Sequence, residues 1–258
     1  MRNIVICVAV LVMVCSVSFA QDAGNEKLPD NASGNQADKP AEMRRQQQAR
    51  TRTRPPVEVK DPAGFIKPKD KDVFSGPQAG EKLPSFKAIG IAGEQSDKEL
   101  DLVEIADGKP MILIFQDDTP AGIRGLFGFA RAIDAIKKQT DKQLTFASVF
   151  LDDDATKISA NAKRYPPNLT QLLTLAVSPD GRSGPGAYGL DRNIPMTILI
   201  VNEGKVLHNF AMTQSMAYPD PHVLGAVAEL IGAERETVAK WINDAQAAQQ
   251  RMRPAPAR

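Results

Sequence analysis

GKPMILIFQDDTPAGIR, residues 108–124, decides the fold of this chain. Met111–Phe115 is an unbroken apolar run entered from an Asp107-Gly108 turn, which predicts a strand buried on both faces. Thr119-Pro120 then supplies a capping hydroxyl followed by a proline at the first helical position. Ile123, Leu126, Phe127, Ala130, Ile133 and Ile136 recur at helical spacing beyond it. A doubly buried strand feeding a helix through a short acidic loop is the opening unit of an α/β sheet. In such sheets ligands gather at the carboxyl ends of the strands.

Outward from this unit, Phe86–Ile91 and Leu100–Ile105 precede it as strands, and Leu144–Leu151 follows as another. A polar helix is expected from about Thr156, then a strand over Leu172–Val177. Met196–Val201 and Lys205–Phe210 form a hairpin around Asn202-Glu203-Gly204. Asp220–Ile231 reads as a helix stopped by Gly232. A last helix, Glu234–Met252, carries Val238, Trp241, Ile242, Ala245 and Met252 on one narrow stripe, with Trp241 as its expected anchor. The fold class is α/β, a three-layer sandwich around a central mixed sheet.

The domain plan has four parts: a leader over 1–20, a disordered arm over 21–75, the α/β body over 76–232, and a helix with a loose tail over 233–258. The leader has a basic start, an apolar run from Ile4 to Val17, and small residues at Ser18 and Ala20 before Gln21, the features of a cleaved signal peptide, with an uncleaved membrane anchor as the alternative. Export to the periplasm or beyond follows. Both cysteines, Cys7 and Cys15, lie inside the leader, so the mature chain is expected to carry no thiol. The arm is poor in core-forming residues. Its Met43–Arg54 stretch has five arginines and no acid, a partner-binding patch or, more plainly, a solvated tether. With 32 Lys and Arg against 31 Asp and Glu, overall charge gives no argument for nucleic acid.

Three stretches carry a family likeness. They are Gly80-Glu81-Lys82-Leu83-Pro84-Ser85-Phe86, Gly108–Phe115, and Tyr188-Gly189-Leu190 with Ile194-Pro195-Met196-Thr197 and Gly204-Lys205-Val206. In order and spacing they resemble redoxins of the alkyl hydroperoxide reductase/thiol-specific antioxidant type, within the thioredoxin-like superfamily. The resemblance implies a cis peptide before Pro195, with Ile194 offering its backbone to an extended substrate. It also implies an antioxidant-type oxidoreductase, yet the loop that would hold the redox cysteines reads Gln116–Arg124 and contains no thiol. Thr119 sits three residues before the position a peroxidatic cysteine would take, and that position is Gly122. A hydroxyl without a base replaces neither the nucleophile nor the electron pair.

The candidate site residues are therefore Asp117, Asp118, Thr119, Arg124, Tyr188, Ile194 and Pro195. Thr119 is the expected helix cap, and Arg124 is placed to pair with either acid. The two acids could hold a cation, orient a cationic peptide or transfer protons; alternatively they only favour the positive helix end. Asp152-Asp153-Asp154 is a second acidic run, with one member expected to cap the next helix. His208 and His222 stand in no metal-ligand spacing, and no metal or cofactor is expected. Ser183–Gly189 is a tight turn presenting Tyr188 rather than a phosphate loop. Asn168-Leu169-Thr170 matches a glycosylation sequon. Three functions fit: a redox-inactive binding or scaffold module that uses the Pro195 groove for a protein or small ligand of the envelope; an enzyme, either the antioxidant-type oxidoreductase that the resemblance implies or a non-thiol one using Asp117, Asp118 or Tyr188; or a structural envelope component.

Overall fold

The computed structural model describes residues 55–65, 73–216 and 218–252. The leader with Cys7 and Cys15, the arginine-rich stretch, the terminal tail and the Asn168 side chain lie outside the described residues. The strands are β1 (Lys87–Gly90), β2 (Glu99–Asp101), β3 (Met111–Gln116), β4 (Thr145–Phe150), β5 (Thr174–Val177), β6 (Met196–Asn202) and β7 (Lys205–Met212). The helices are α1 (Leu102–Ala106), α2 (Pro120–Lys137), α3 (Ala155–Ala162), α4 (Pro167–Leu172), α5 (Pro221–Ile231) and α6 (Arg235–Arg251).

One seven-stranded sheet runs in the order β2-β1-β5-β4-β3-β6-β7. The quoted strand lies inside it, parallel to β4 and antiparallel to β6. All six residues of β3 are buried, as an apolar run flanked on both faces requires. Side-chain alternation divides them between two cores. Ile112 and Ile114 join Leu126, Phe129 and Ile133 of α2, Val223 and Leu224 of α5, and Val238 and Ile242 of α6. Met111, Leu113 and Phe115 face Leu83, Phe86, Leu102 and Tyr188. Complete burial of a side chain such as Ile112 or Leu113 contributes about 1.5–3 kcal/mol.

Helices α2 to α6 cover the first face, and α1 with the turn Gly186–Tyr188 forms a thin layer on the second. The crossover β3–α2–β4, the antiparallel hairpin β6–β7 and the closing helix α5 stand in the order β4-β3-β6-β7. That is the thioredoxin-like arrangement within a three-layer α/β sandwich. The expected hairpin forms, with Asn202 paired to Lys205 and a two-residue loop of Glu203 at φ 50° and Gly204 at φ 70°.

Four expectations change. Leu100–Ile105 is not a single strand: the Asp101 carboxylate accepts from the Val103 and Glu104 amides, and α1 starts at Leu102. The ordered body begins before Gly76. Pro55–Phe65 packs on the helices, and Ser75, 1 % exposed, shares a 2.6 Å hydrogen bond with Thr197. The arm's polar composition concealed Val57, Val59 and Phe65, which supply the needed apolar contacts. On α6, Val238 and Ile242 are the buried anchors and Trp241 is half-buried, while Met252 is 83 % exposed. Finally, the peptide before Pro195 is trans, and no cis peptide occurs among the described residues. Trans is the lower-energy isomer by about 0.5–1 kcal/mol even for proline. Here Pro195 simply precedes β6, where a missing N–H costs the ladder nothing.

Candidate functional site

The carboxyl ends of β3 and β4 meet the start of α2, and the chain closes this corner with its own side chains. Thr119 Oγ1 accepts from the Gly122 amide at 3.2 Å, so Thr119 is the α2 cap. It donates in turn to Asp117 Oδ1 at 2.8 Å. The same carboxylate oxygen accepts from Ser215 Oγ at 3.3 Å, and the two hydroxyl oxygens are 3.2 Å apart. Ser215 arrives from the segment between β7 and α5, which the local sequence around Asp117 could not have signalled. The Asp117 amide donates to the Pro195 carbonyl at 3.0 Å, bringing Pro195 alongside the site.

Asp118 turns the other way. Its Oδ2 lies 3.0 Å from Lys157 Nζ, which also lies 3.1 Å from Asp152 Oδ2. Hydrogen bonds donated to Asp118 and Asp152 hold the Lys157 ammonium above its ordinary value. Asp152 is pushed up by burial, but the Asp154 amide and Lys157 outweigh this and leave it lowered. Tyr165 behind them is pushed up to about 12 by burial and the Asp118 charge. The ammonium thus takes the place between carboxylates that a cation would need. Among the described residues, no group of three or more His, Cys, Asp or Glu side chains is placed to hold a metal ion.

The second acidic run disperses. Asp154 caps α3 through the Lys157 amide, and Asp153 accepts from the Arg182 amide at 2.9 Å and pairs with Arg192 at 3.2 Å. His222 and His208 are engaged elsewhere, with the Asp61 carbonyl and Glu229 respectively. No imidazole therefore serves Thr119 or Ser215 as a base.

The remaining candidates separate. Arg124 is exposed and, among the described residues, pairs with neither Asp117 nor Asp118. Ile194 is buried, and its amide already donates to the Asp191 carbonyl at 3.0 Å, so that donor is not free for an extended substrate. Tyr188 lies in the second core, 3 % exposed, with its ring against Phe86 and Phe115. Its hydroxyl donates to the Pro84 carbonyl at 2.8 Å, and burial pushes its ionisation well above the usual phenol range. Such a tyrosine is a packing residue, on the opposite face of the sheet from α2.

One residue at this corner escaped notice in the sequence. Gln116, the last of β3, is fully buried with neither side-chain amide atom hydrogen-bonded to any described residue. Ser148 of β4 is likewise buried and unpartnered. Gln116 looks like a strand-ending polar residue, and only its pairing with Phe150 and Met196 shows that it is enclosed.

No protein-family model matches the sequence, and no curated protein matches it. Solved structures do. A protein assigned as the thiol:disulfide interchange protein DsbE of Chlorobium tepidum is 19% identical, covering 63% of this chain and 98% of its own, with a TM-score of 0.43. Reduced Prx3 of Vibrio vulnificus is 18% identical over 60% of this chain and 98% of its own, at 0.43. The peroxidoxin BcpB of Mycobacterium tuberculosis is 14% identical over 61% and 98%, at 0.42. By sheet order, crossover and hairpin, the body of this chain has the thioredoxin-like fold.

Proposed function

We propose that the protein is an exported thioredoxin-fold binding module that performs no thiol chemistry. The observation that carries this reading is the first turn of α2. Thr119, Asp117 and Ser215 close on one another there, and the chain has no cysteine after Cys15. Thiol–disulfide exchange needs a thiolate, and this turn offers two hydroxyls and a carboxylate in its place. The surface left for recognition is the rim formed by Asp117 and Asp118 at the carboxyl end of β3. Its occupant is a protein or small ligand of the envelope. No helix among the described residues is long and apolar enough to cross a membrane.

The test uses the mature chain, residues 21–258. Dithiol-dependent insulin reduction and peroxide consumption should stay at buffer rates, and turnover above them would overturn the redox-inactive reading. Partners crosslinked in the native envelope should map to the Asp117–Asp118 rim and fall at least tenfold in yield with Asp117→Asn/Asp118→Asn. Crosslinks confined to other faces would overturn the placement of the site.

A further inference from the structure

Residues 55–65, PPVEVKDPAGF, lie across α5 and α6 in the manner of a bound peptide. The Asn243 side chain grips Val57 at two points: its Oδ1 accepts from the Val57 amide at 2.7 Å, and its Nδ2 donates to the Val57 carbonyl at 3.0 Å. A carboxamide used this way imitates the edge of a strand. Val57 and Val59 turn inward against the main core, whereas Glu58 and Lys60 face solvent and pair at 2.7 Å. The Lys60 amide donates to the Pro221 carbonyl at 2.9 Å. Its own carbonyl rests on Gly225 of α5, where any Cβ would collide with it.

Beyond Lys60 the segment turns. The Asp61 carboxylate caps a short turn over Pro62–Gly64 and pairs with Arg235 at 3.0 Å. His222 Nδ1 lies 2.6 Å from the Asp61 carbonyl, which can only accept, so this nitrogen carries the proton. A Cβ on Gly64 would stand 2.9 Å from the His222 ring. Phe65 then meets the Phe210 ring edge to face, with centroids 5.0 Å apart.

The segment supplies no strand to the sheet, and of these contacts only that of Phe65 reaches a sheet residue, Phe210 of β7. We propose that the α5–α6 groove is a peptide-binding site, separate from the corner at Asp117, whose resident occupant is the chain's own segment 55–65. The ligand class is an extended peptide with apolar residues at alternate positions, then Asp-Pro, a glycine and an aromatic residue. Asn243 and His222 read the backbone at Val57 and Asp61, Gly225 admits the Lys60 carbonyl, and Arg235 reads the aspartate carboxylate. The segment opens and closes as a unit while the sheet stays folded, and the groove accepts the same peptide offered in trans.

Two experiments test this. In hydrogen exchange on the unmodified full chain, the Val57 and Lys60 amides should be protected relative to Glu58 yet exchange at least tenfold faster than Ile112 and Ile114 of β3. Exchange at the β3 rate would make the segment an integral part of the fold and overturn the proposal. In the second, labelled PPVEVKDPAGF is titrated into full-length Val57→Asp/Val59→Asp protein whose β3 amides remain protected. Saturable binding is expected, at least tenfold tighter than to the unmodified chain, whose groove is filled. Adding Gly225→Val or Asn243→Leu should weaken it more than tenfold. Absence of saturable binding, or binding indifferent to both groove substitutions, would overturn the proposal.

Discussion

Replacing Thr119 by alanine removes two functions of one hydroxyl, and the geometry sets what each is worth. As α2's cap, Thr119 Oγ1 satisfies the Gly122 amide, and losing such a cap costs typically about 1 kcal/mol, within a range of about 0.5–2. As a donor to Asp117 it makes a 2.8 Å charge-assisted bond. Bonds to charged groups contribute roughly 1.5–3 kcal/mol. Asp117 is only half-buried and keeps Ser215, so the lower part of that range or less applies. Together, Thr119→Ala should destabilise the chain by about 2 kcal/mol. For a domain of this size that lowers Tm by about 4–8 °C. Urea unfolding followed by Trp241 fluorescence should show the midpoint moving by about 1 M if the slope is about 2 kcal/mol/M. Thr119→Ser keeps the oxygen and should stay within about 0.5 kcal/mol of the original. Ser215→Ala combined with Thr119→Ala should cost more than the two changes separately, because each single variant leaves the other hydroxyl to serve the same carboxylate oxygen. A Thr119→Ala protein within 0.5 kcal/mol of the original, or a serine variant as damaged as the alanine one, would refute the closed-corner reading.

Three further outcomes are expected. Tyr188→Phe keeps the ring packing but leaves the Pro84 carbonyl unpaired, costing about 1–2 kcal/mol in urea unfolding without altering partner crosslinking at Asp117. Gln116→Met removes two buried amide atoms that have no partner, so its midpoint should rise by the equivalent of about 1–2 kcal/mol; a fall would contradict the burial argument. Asp61 is held below its ordinary 3.8 by the Ala63 amide and, against the opposing effect of burial, by Arg235 and His222. Its contribution is therefore complete above pH 3.8 and lost as pH falls through the lower folded value. Exchange protection of Val57 relative to Ile112 should decline below pH 3.8, and a decline beginning near neutrality would contradict this assignment.

The strands and long helices were legible because each carries its own period. Met111–Phe115 is apolar at every position, α2 repeats at helical spacing behind a Thr-Pro cap, and Gly232 ends α5 with φ at 70°. Where local chemistry competed with pattern, reading failed. Leu100–Ile105 looks strand-like, but the carboxylate of Asp101 satisfies two amides and begins a helix. The arm was assigned by average composition, which dilutes Val57, Val59 and Phe65 among polar neighbours.

Residue spacing alone could establish an α/β body, the cap at Thr119 and the missing thiol in the loop before α2, since these depend on near neighbours and on residue identity. Whether a candidate side chain reaches the site depends on residues far away in the chain. Tyr188 went to the opposite core because Phe86 and Phe115 enclose it, Arg124 points to solvent, and Ser215 came to Asp117 from 98 residues away. Pro195 stayed trans at the start of a paired strand. The groove that seats 55–65 exists only where Asn243, Gly225 and Arg235 converge, and packing of α5 against α6 creates that convergence.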